Sequence, residues 1–242
     1  MKKIALIAGA LALGAGLASA DTIRMGSEGA YPPYNFLNDN NELDGFERDV
    51  GDELCRRANV TCEWVINDWD SIIPNLQSGN YDTIMAGMSI TPARQEVIAF
   101  TQHYLPPEPS AYVGLAGTDT SVRDDGVIAA QSNTIQAGFV AETDADLLEF
   151  PTPDESLAAV RNGEADALLA DKGFLQRFVD ESGGRLIFLG DDVSIGGGIG
   201  MGLRQSDTEM REMFNDAITS MIEDGSLNEL IVEWFGDDAA TF

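Results

Sequence analysis

An α/β protein of two lobes is the fold class this sequence predicts, and three observations predict it. Short apolar stretches alternate along the chain with segments of helical periodicity, the pattern of sheets covered by helices on both faces. Leu105-Pro106-Pro107-Glu108-Pro109 breaks all regular structure near the middle, and so dense a run of prolines marks a connector between lobes. Ile195-Gly196-Gly197-Gly198-Ile199-Gly200-Met201-Gly202 supplies a second crossing that returns the chain to the first lobe. At 242 residues the chain is long enough to bury two cores.

Taken in order, Lys2 and Lys3, the apolar run Ile4 to Leu17 and the small-x-small Ala18-Ser19-Ala20 read as a secretory signal peptide over residues 1–20. The run is short and rich in Gly and Ala for a membrane span, and no Cys follows it to carry a lipid. Ile23 to Gly26 is the first strand. A helix starts near Phe46, with Phe46, Val50, Leu54 and Ala58 at helical spacing, and Cys62 to Ile66 is the next strand. A helix from Ser71 stops at Gly79 and feeds the strand Tyr81 to Ala86. Phe100-Thr101 belongs to the last strand before the Pro-rich crossing.

Beyond the crossing, Ala111 to Leu115 and Val127 to Ala130 read as strands, followed by a helix from Ile135 and a strand at Leu147 to Phe150. The helix Pro153 to Asn162 has Thr152 and Glu155 at capping-box spacing and Gly163 as its stop. Ala167 to Asp171 is an apolar strand ending in an acid, the helix Lys172 to Asp180 follows, and Arg185 to Leu189 is another strand. Two helices, Thr208 to Glu223 and Leu227 to Trp234, close the chain. The lobes so divided are 21–106 with 201–242, and 107–200.

The chain carries 14 Lys and Arg against 41 Asp and Glu, a formal charge of −27. Such a surface is repelled by phosphate, which argues against nucleic acid and anionic lipid as partners. The excess also serves solubility or a salty habitat. Two cysteines, Cys55 and Cys62, invite a disulfide in a secreted chain, one that pins a local corner between helix and strand. With the single His103 they are too few for a metal site, and the glycines of 195–202 never form G-x-G-x-x-G. Neither a metal nor a cofactor is expected.

The stretch Met85-Ala86-Gly87-Met88-Ser89-Ile90-Thr91-Pro92-Ala93-Arg94 organises the first lobe. A strand runs into a glycine turn, and a helix opens with Thr91 as N-cap and Pro92 at its first position. A helix start directs N–H groups at an anion, Arg94 adds a two-toothed clamp for a carboxylate, and Ser89 a hydroxyl. An ordinary strand–turn–helix with a surface Arg is the other reading. Gln131-Ser132-Asn133-Thr134-Ile135-Gln136 repeats the arrangement in the second lobe.

These stretches are similar to the periplasmic solute-binding proteins for polar and basic amino acids, the family of the lysine/arginine/ornithine-, histidine-, arginine- and opine-binding proteins of ABC importers. The resemblance extends to Gly26-Ser27-Glu28-Gly29-Ala30-Tyr31-Pro32-Pro33-Tyr34, Leu43-Asp44-Gly45-Phe46-Glu47-Arg48-Asp49 and Asp68-Trp69-Asp70-Ser71-Ile72-Ile73-Pro74. It continues through Arg94-Gln95-Glu96-Val97-Ile98-Ala99-Phe100, Gly200-Met201-Gly202-Leu203-Arg204 and Glu233-Trp234-Phe235. It implies the periplasmic-binding-protein fold, with two hinge crossings and a ligand cleft between the lobes, and a monomer in the periplasm that delivers an amino acid to membrane-embedded ABC permease subunits. A disulfide between Cys55 and Cys62 also matches family members.

By the same resemblance, Arg94, Ser89 and Thr134 hold the ligand carboxylate and Asp171 the α-ammonium. Tyr31 and Trp69 sandwich the side chain, Glu28 meets its distal charge, Gln136 lines the pocket and Gly87 offers a backbone group. Each has a plainer reading: a solvated acid for Glu28, packing for Tyr31 and Trp69, a helix N-cap for Thr134 and for Asp171. Lys172 competes for Asp171 on sequence grounds. Ala86 and Gly87 stand where some relatives have a Ser pair, Asn133 where many have Gly, and Ile135 where many have Thr or Ser. One Arg and two further carboxylates suit a cationic amino acid: lysine, arginine or ornithine. Opine, histidine or glutamine binding are alternatives, as is a dehydratase-like enzyme on this fold, against which stands the lack of any nucleophile–base constellation.

Overall fold

Two five-stranded mixed sheets share the chain in the computed structural model, which describes residues 22–242. The signal-peptide reading falls on residues outside that range. The first sheet is ordered Thr61–Ile66, Thr22–Ser27, Thr83–Ile84, Ile199–Leu203, Ala99–Leu105. Its first three strands run parallel, and Ile199–Leu203 enters antiparallel to both neighbours. The second sheet is ordered Asp146–Phe150, Val127–Gln131, Ala167–Asp171, Ser110–Leu115, Leu186–Phe188 and repeats the scheme. In each, three parallel strands aim their carboxyl ends the same way, and in open α/β sheets that end is where ligands collect.

The chain leaves the first sheet after Leu105, enters the second at Ser110, and returns at Ile199. The prolines of 106–109 remove backbone donors where no strand continues. On the return, Gly198 has φ +87°, and a Cβ there would lie 2.9 Å from the Leu105 carbonyl oxygen. The two crossings therefore run against each other, and only glycine fits.

Apolar packing continues across the lobes. Tyr31 and Tyr34 of the first lobe share one cluster with Phe174 and Phe178 of the second. Tyr34 is fully buried and its hydroxyl donates to Glu108 Oε2 at 2.8 Å, within the first crossing. The helix Phe46–Ala58 buries Phe46, Val50 and Leu54 on one face, and Asn59 closes it in the left-handed conformation with φ +56°. The chain then turns into Thr61–Ile66, and Cys55 and Cys62 are disulfide-bonded across that corner.

Two local expectations differ from the structure. The strand Tyr81 to Ala86 narrows to Thr83–Ile84, because Gly87 at φ +61° turns the chain away from the sheet. The helix after Thr91 is a single turn, Pro92–Gln95, ended as Ile98 buries and the chain enters Ala99–Leu105. A small antiparallel sheet of Ala30–Tyr31, Asn35–Leu37 and Leu43–Asp44 was not foreseen, since strands of two or three residues leave no period to read.

Candidate functional site

Between the two sheets lies a narrow cavity, partly open to solvent. Its walls bring together Glu28, Tyr31, Trp69, Gly87, Ser89 and Arg94 from the first lobe with Thr134, Gln136 and Asp171 from the second. Topology explains the convergence. Glu28 follows the carboxyl end of Thr22–Ser27, Asp171 ends Ala167–Asp171, and Thr134 lies just past Val127–Gln131.

Arg94 is set by its own short helix. Thr91 caps it, accepting from the Arg94 N–H at 3.2 Å, with Pro92 in the first turn. The guanidinium donates to the Ser89 carbonyl at 2.9 Å and, across the cleft, to the Asn133 carbonyl at 3.4 Å. It also lies 5.3 Å from the Trp69 ring centroid. Burial lowers its pKa to about 10, opposed by Asp171, so it stays charged at neutral pH. The Ser89 hydroxyl makes no hydrogen bond among the described residues.

Both acids of the site are raised from their ordinary values. Glu28 is buried, and its pKa rises to about 7 because burial disfavours the charged form. The hydrogen bond from Gln131 Nε2 at 2.6 Å opposes that rise, while Asp68, Asp70 and Glu47 add to it. Asp171 rises to about 6, again through burial, opposed by Tyr31, Arg94 and Gln136. Tyr31 donates its hydroxyl to Asp171 Oδ2 at 2.8 Å, and Gln136 Nε2 donates to Oδ1 at 2.9 Å. Two carboxylates, one buried and one half-buried, thus face the cavity with only neutral donors on them and one guanidinium near.

Several sequence-level roles are redrawn. The Thr134 hydroxyl is the N-cap of Ile135–Val140: it accepts from Ala137 N–H at 3.1 Å and donates to the Gln131 carbonyl at 2.7 Å. That leaves its N–H, not its hydroxyl, for a ligand. Gly87 offers no N–H, because both Glu47 oxygens accept from it at 2.7 and 2.9 Å. Tyr31 stacks on Phe174, centroids 4.3 Å apart and planes at 6°, so it and Trp69 each already carry a protein neighbour. Gln136 spends its amide nitrogen on Ser110 and Asp171 and so orients the acid. Asp171 makes no side-chain cap to the following helix, and Lys172 pairs with Asp192 at 2.7 Å instead of competing for it.

Three residues escaped the sequence reading. Glu47, in the first turn of Phe46–Ala58, is fully buried and accepts from Asn35, Tyr104 and Gly87, fixing the turn that leads to Ser89. Gln131 lay in the second-lobe loop already singled out, yet without an ionisable group to mark it. Phe174 is one aromatic among the helix's apolar positions, and only the fold places it beneath Tyr31.

Residues 23–237 match the bacterial extracellular solute-binding proteins, family 3. A periplasmic His/Glu/Gln/Arg/opine family-binding protein from Silicibacter pomeroyi, solved in complex with lysine, is 65% identical, with a TM-score of 0.88 over 91% of this chain and 100% of that one. The histidine-binding periplasmic protein of Salmonella typhimurium is 33% identical over 98% of each chain. The lysine/arginine/ornithine-binding periplasmic protein of Escherichia coli is 30% identical over 97% of each.

Proposed function

The chain belongs to family 3 of the bacterial extracellular solute-binding proteins, and from that premise we propose that it binds a cationic L-amino acid (lysine, arginine or ornithine) in the interlobe cleft and hands it, in the periplasm, to a membrane-embedded ABC permease. One observation carries the choice of ligand: two carboxylates, the buried Glu28 and the half-buried Asp171, face a cavity whose lining contains a single cation, Arg94. Charges removed from water need partners. A ligand with one carboxylate and two cationic groups completes all three, its carboxylate on Arg94, Ser89 and the Thr134 N–H, its α-ammonium on Asp171 and its distal charge on Glu28. Tyr31 and Trp69 line the stem of the side chain. An opine brings a second carboxylate, for which the lining holds no further cation. The relative solved with lysine supports the same class.

Calorimetric titration of protein refolded from denaturant, free of carried-over ligand, tests this. Lysine, arginine and ornithine should bind more tightly than glutamine, histidine or octopine. Glu28→Gln should cost the cationic ligands about 2–3 kcal/mol, or roughly 30- to 160-fold, by removing a charged partner from a buried pair. Tightest binding of glutamine or octopine, or an unchanged Glu28→Gln, would overturn the assignment of the distal site.

A further inference from the structure

Six of the twelve cations among the described residues are neutralised at short range: Arg24, Arg48, Arg56, Arg57, Lys172 and Arg204 form ion pairs. Arg161 and Arg177 do not. Both are exposed, and neither makes an ion pair or a side-chain hydrogen bond among the described residues, although Asp154, Asp180 and Glu181 are near in sequence. They stand on the neighbouring second-lobe helices Pro153–Asn162 and Lys172–Glu181, with their guanidinium carbons 5.5 and 4.8 Å from the centroid of one ring, Phe178. Opposite them stand Pro32, Phe36 and Leu37 in and beside the small first-lobe sheet, across a groove partly open to solvent and distinct from the ligand cavity. Asp154 is the one acid lining it.

We propose that this groove docks an acidic, extended segment of a partner protein, and that the partner is the membrane transporter. The proposal rests on the transport reading above. Each guanidinium is held on an aromatic face with its fork of donors unspent, the form in which arginine captures carboxylates in pairs. Arginine and aromatic side chains around an apolar floor are also the composition of interface hot spots. A chain of net charge −27 repels an acidic partner nearly everywhere, so a local cationic pair selects both the place and the orientation of contact. The two walls belong to different lobes, so the width of the groove follows the lobe arrangement. A partner that fits this width binds the ligand-holding form and not one with the lobes apart.

The test uses the source bacterium lacking its own copy of the gene and complemented with variants, reading uptake of whichever amino acid wild-type protein binds in the titration. Arg161→Glu/Arg177→Glu on one wall, and Leu37→Asp on the other, should each lower uptake by about tenfold, as like-charge contacts at an interface do. Calorimetric affinity should stay within about twofold of wild type, since none of these residues lines the ligand cavity. Arg211→Glu, a charge reversal outside the groove, should transport normally. Normal uptake in the groove variants, equal loss in Arg211→Glu, or an uptake loss matched by lost affinity would each overturn the proposal. Failure of the transport reading shows separately, as absence of amino-acid binding by the wild type.

Discussion

Glu28 and Asp171 make the site a proton-linked one. Each carboxyl is held up by burial, to about 7 and about 6, and each must be ionised to pair with a cationic group. Affinity for lysine or arginine should therefore rise with pH between about 5 and 8 and level off above, with protons released on binding. Calorimetry in buffers of different ionisation enthalpy measures that release directly, and Glu28→Gln should abolish its upper part. The ligand-free protein should show the opposite slope in stability. A carboxyl whose folded pKa exceeds its unfolded value stabilises the fold fully below the unfolded pKa, and that contribution is lost as pH rises through the folded one. Glu28 moves from 4.5 to about 7, roughly 3 kcal/mol at about 1.4 kcal/mol per unit. Urea unfolding of Glu28→Gln without ligand should be flatter between pH 5 and 7 than that of the parent. A parallel pH dependence in both proteins would remove Glu28 as the cause.

At the level of elements, the short helix Ile135–Val140 shows how a cap and a binding group share one residue. Thr134→Ala removes an N-cap and should cost about 1 kcal/mol in denaturant unfolding, while Thr134→Ser should restore it. Ligand affinity should fall with the cap, because the loop that aims the Thr134 N–H is held by the same hydroxyl. The Ala variant binding normally would separate the two roles. The same residue shows where the sequence was legible. Capping chemistry at Thr91, Thr134 and Thr152, the proline and glycine crossings, and the apolar strand ending at Asp171 are local signals, and the structure keeps all of them. What stayed hidden is which donor, acceptor or ring face is already spent. Thr134 Oγ1, the Gly87 N–H and the Tyr31 ring are consumed by Ala137, Glu47 and Phe174, and two of those partners lie far away in sequence. Periodicity carries no record of such pairings.

Across the whole molecule, the lobes are joined at the rim of the cleft by a hydrogen bond that touches no ligand-cavity residue: Asn133 Nδ2 donates to Asp70 Oδ1 at 2.9 Å. If closure precedes or accompanies binding, the apparent dissociation constant is the intrinsic one divided by the closed fraction, so a rim contact changes affinity from outside the cavity. An exposed bond of this kind contributes about 0.5–1 kcal/mol, which predicts a roughly two- to fivefold loss of affinity on removing it. Asn133 sits at φ +59°, so Asn133→Gly deletes the amide without straining the backbone. Asp70→Ala deletes the other partner, and Asp70→Asn keeps an acceptor while dropping the charge that raises the Glu28 pKa. Titrations belong at pH 8 and high salt, where Glu28 is ionised and the Asp70 field is screened. Asn133→Gly and Asp70→Ala should then weaken binding alike, their combination no further, and Asp70→Asn hardly at all. Small-angle scattering of the ligand-free variants should give a larger radius of gyration than the parent, with the difference gone at saturating lysine. Additive losses, or an unchanged radius, would show that the rim bond does not set the balance between open and closed lobes.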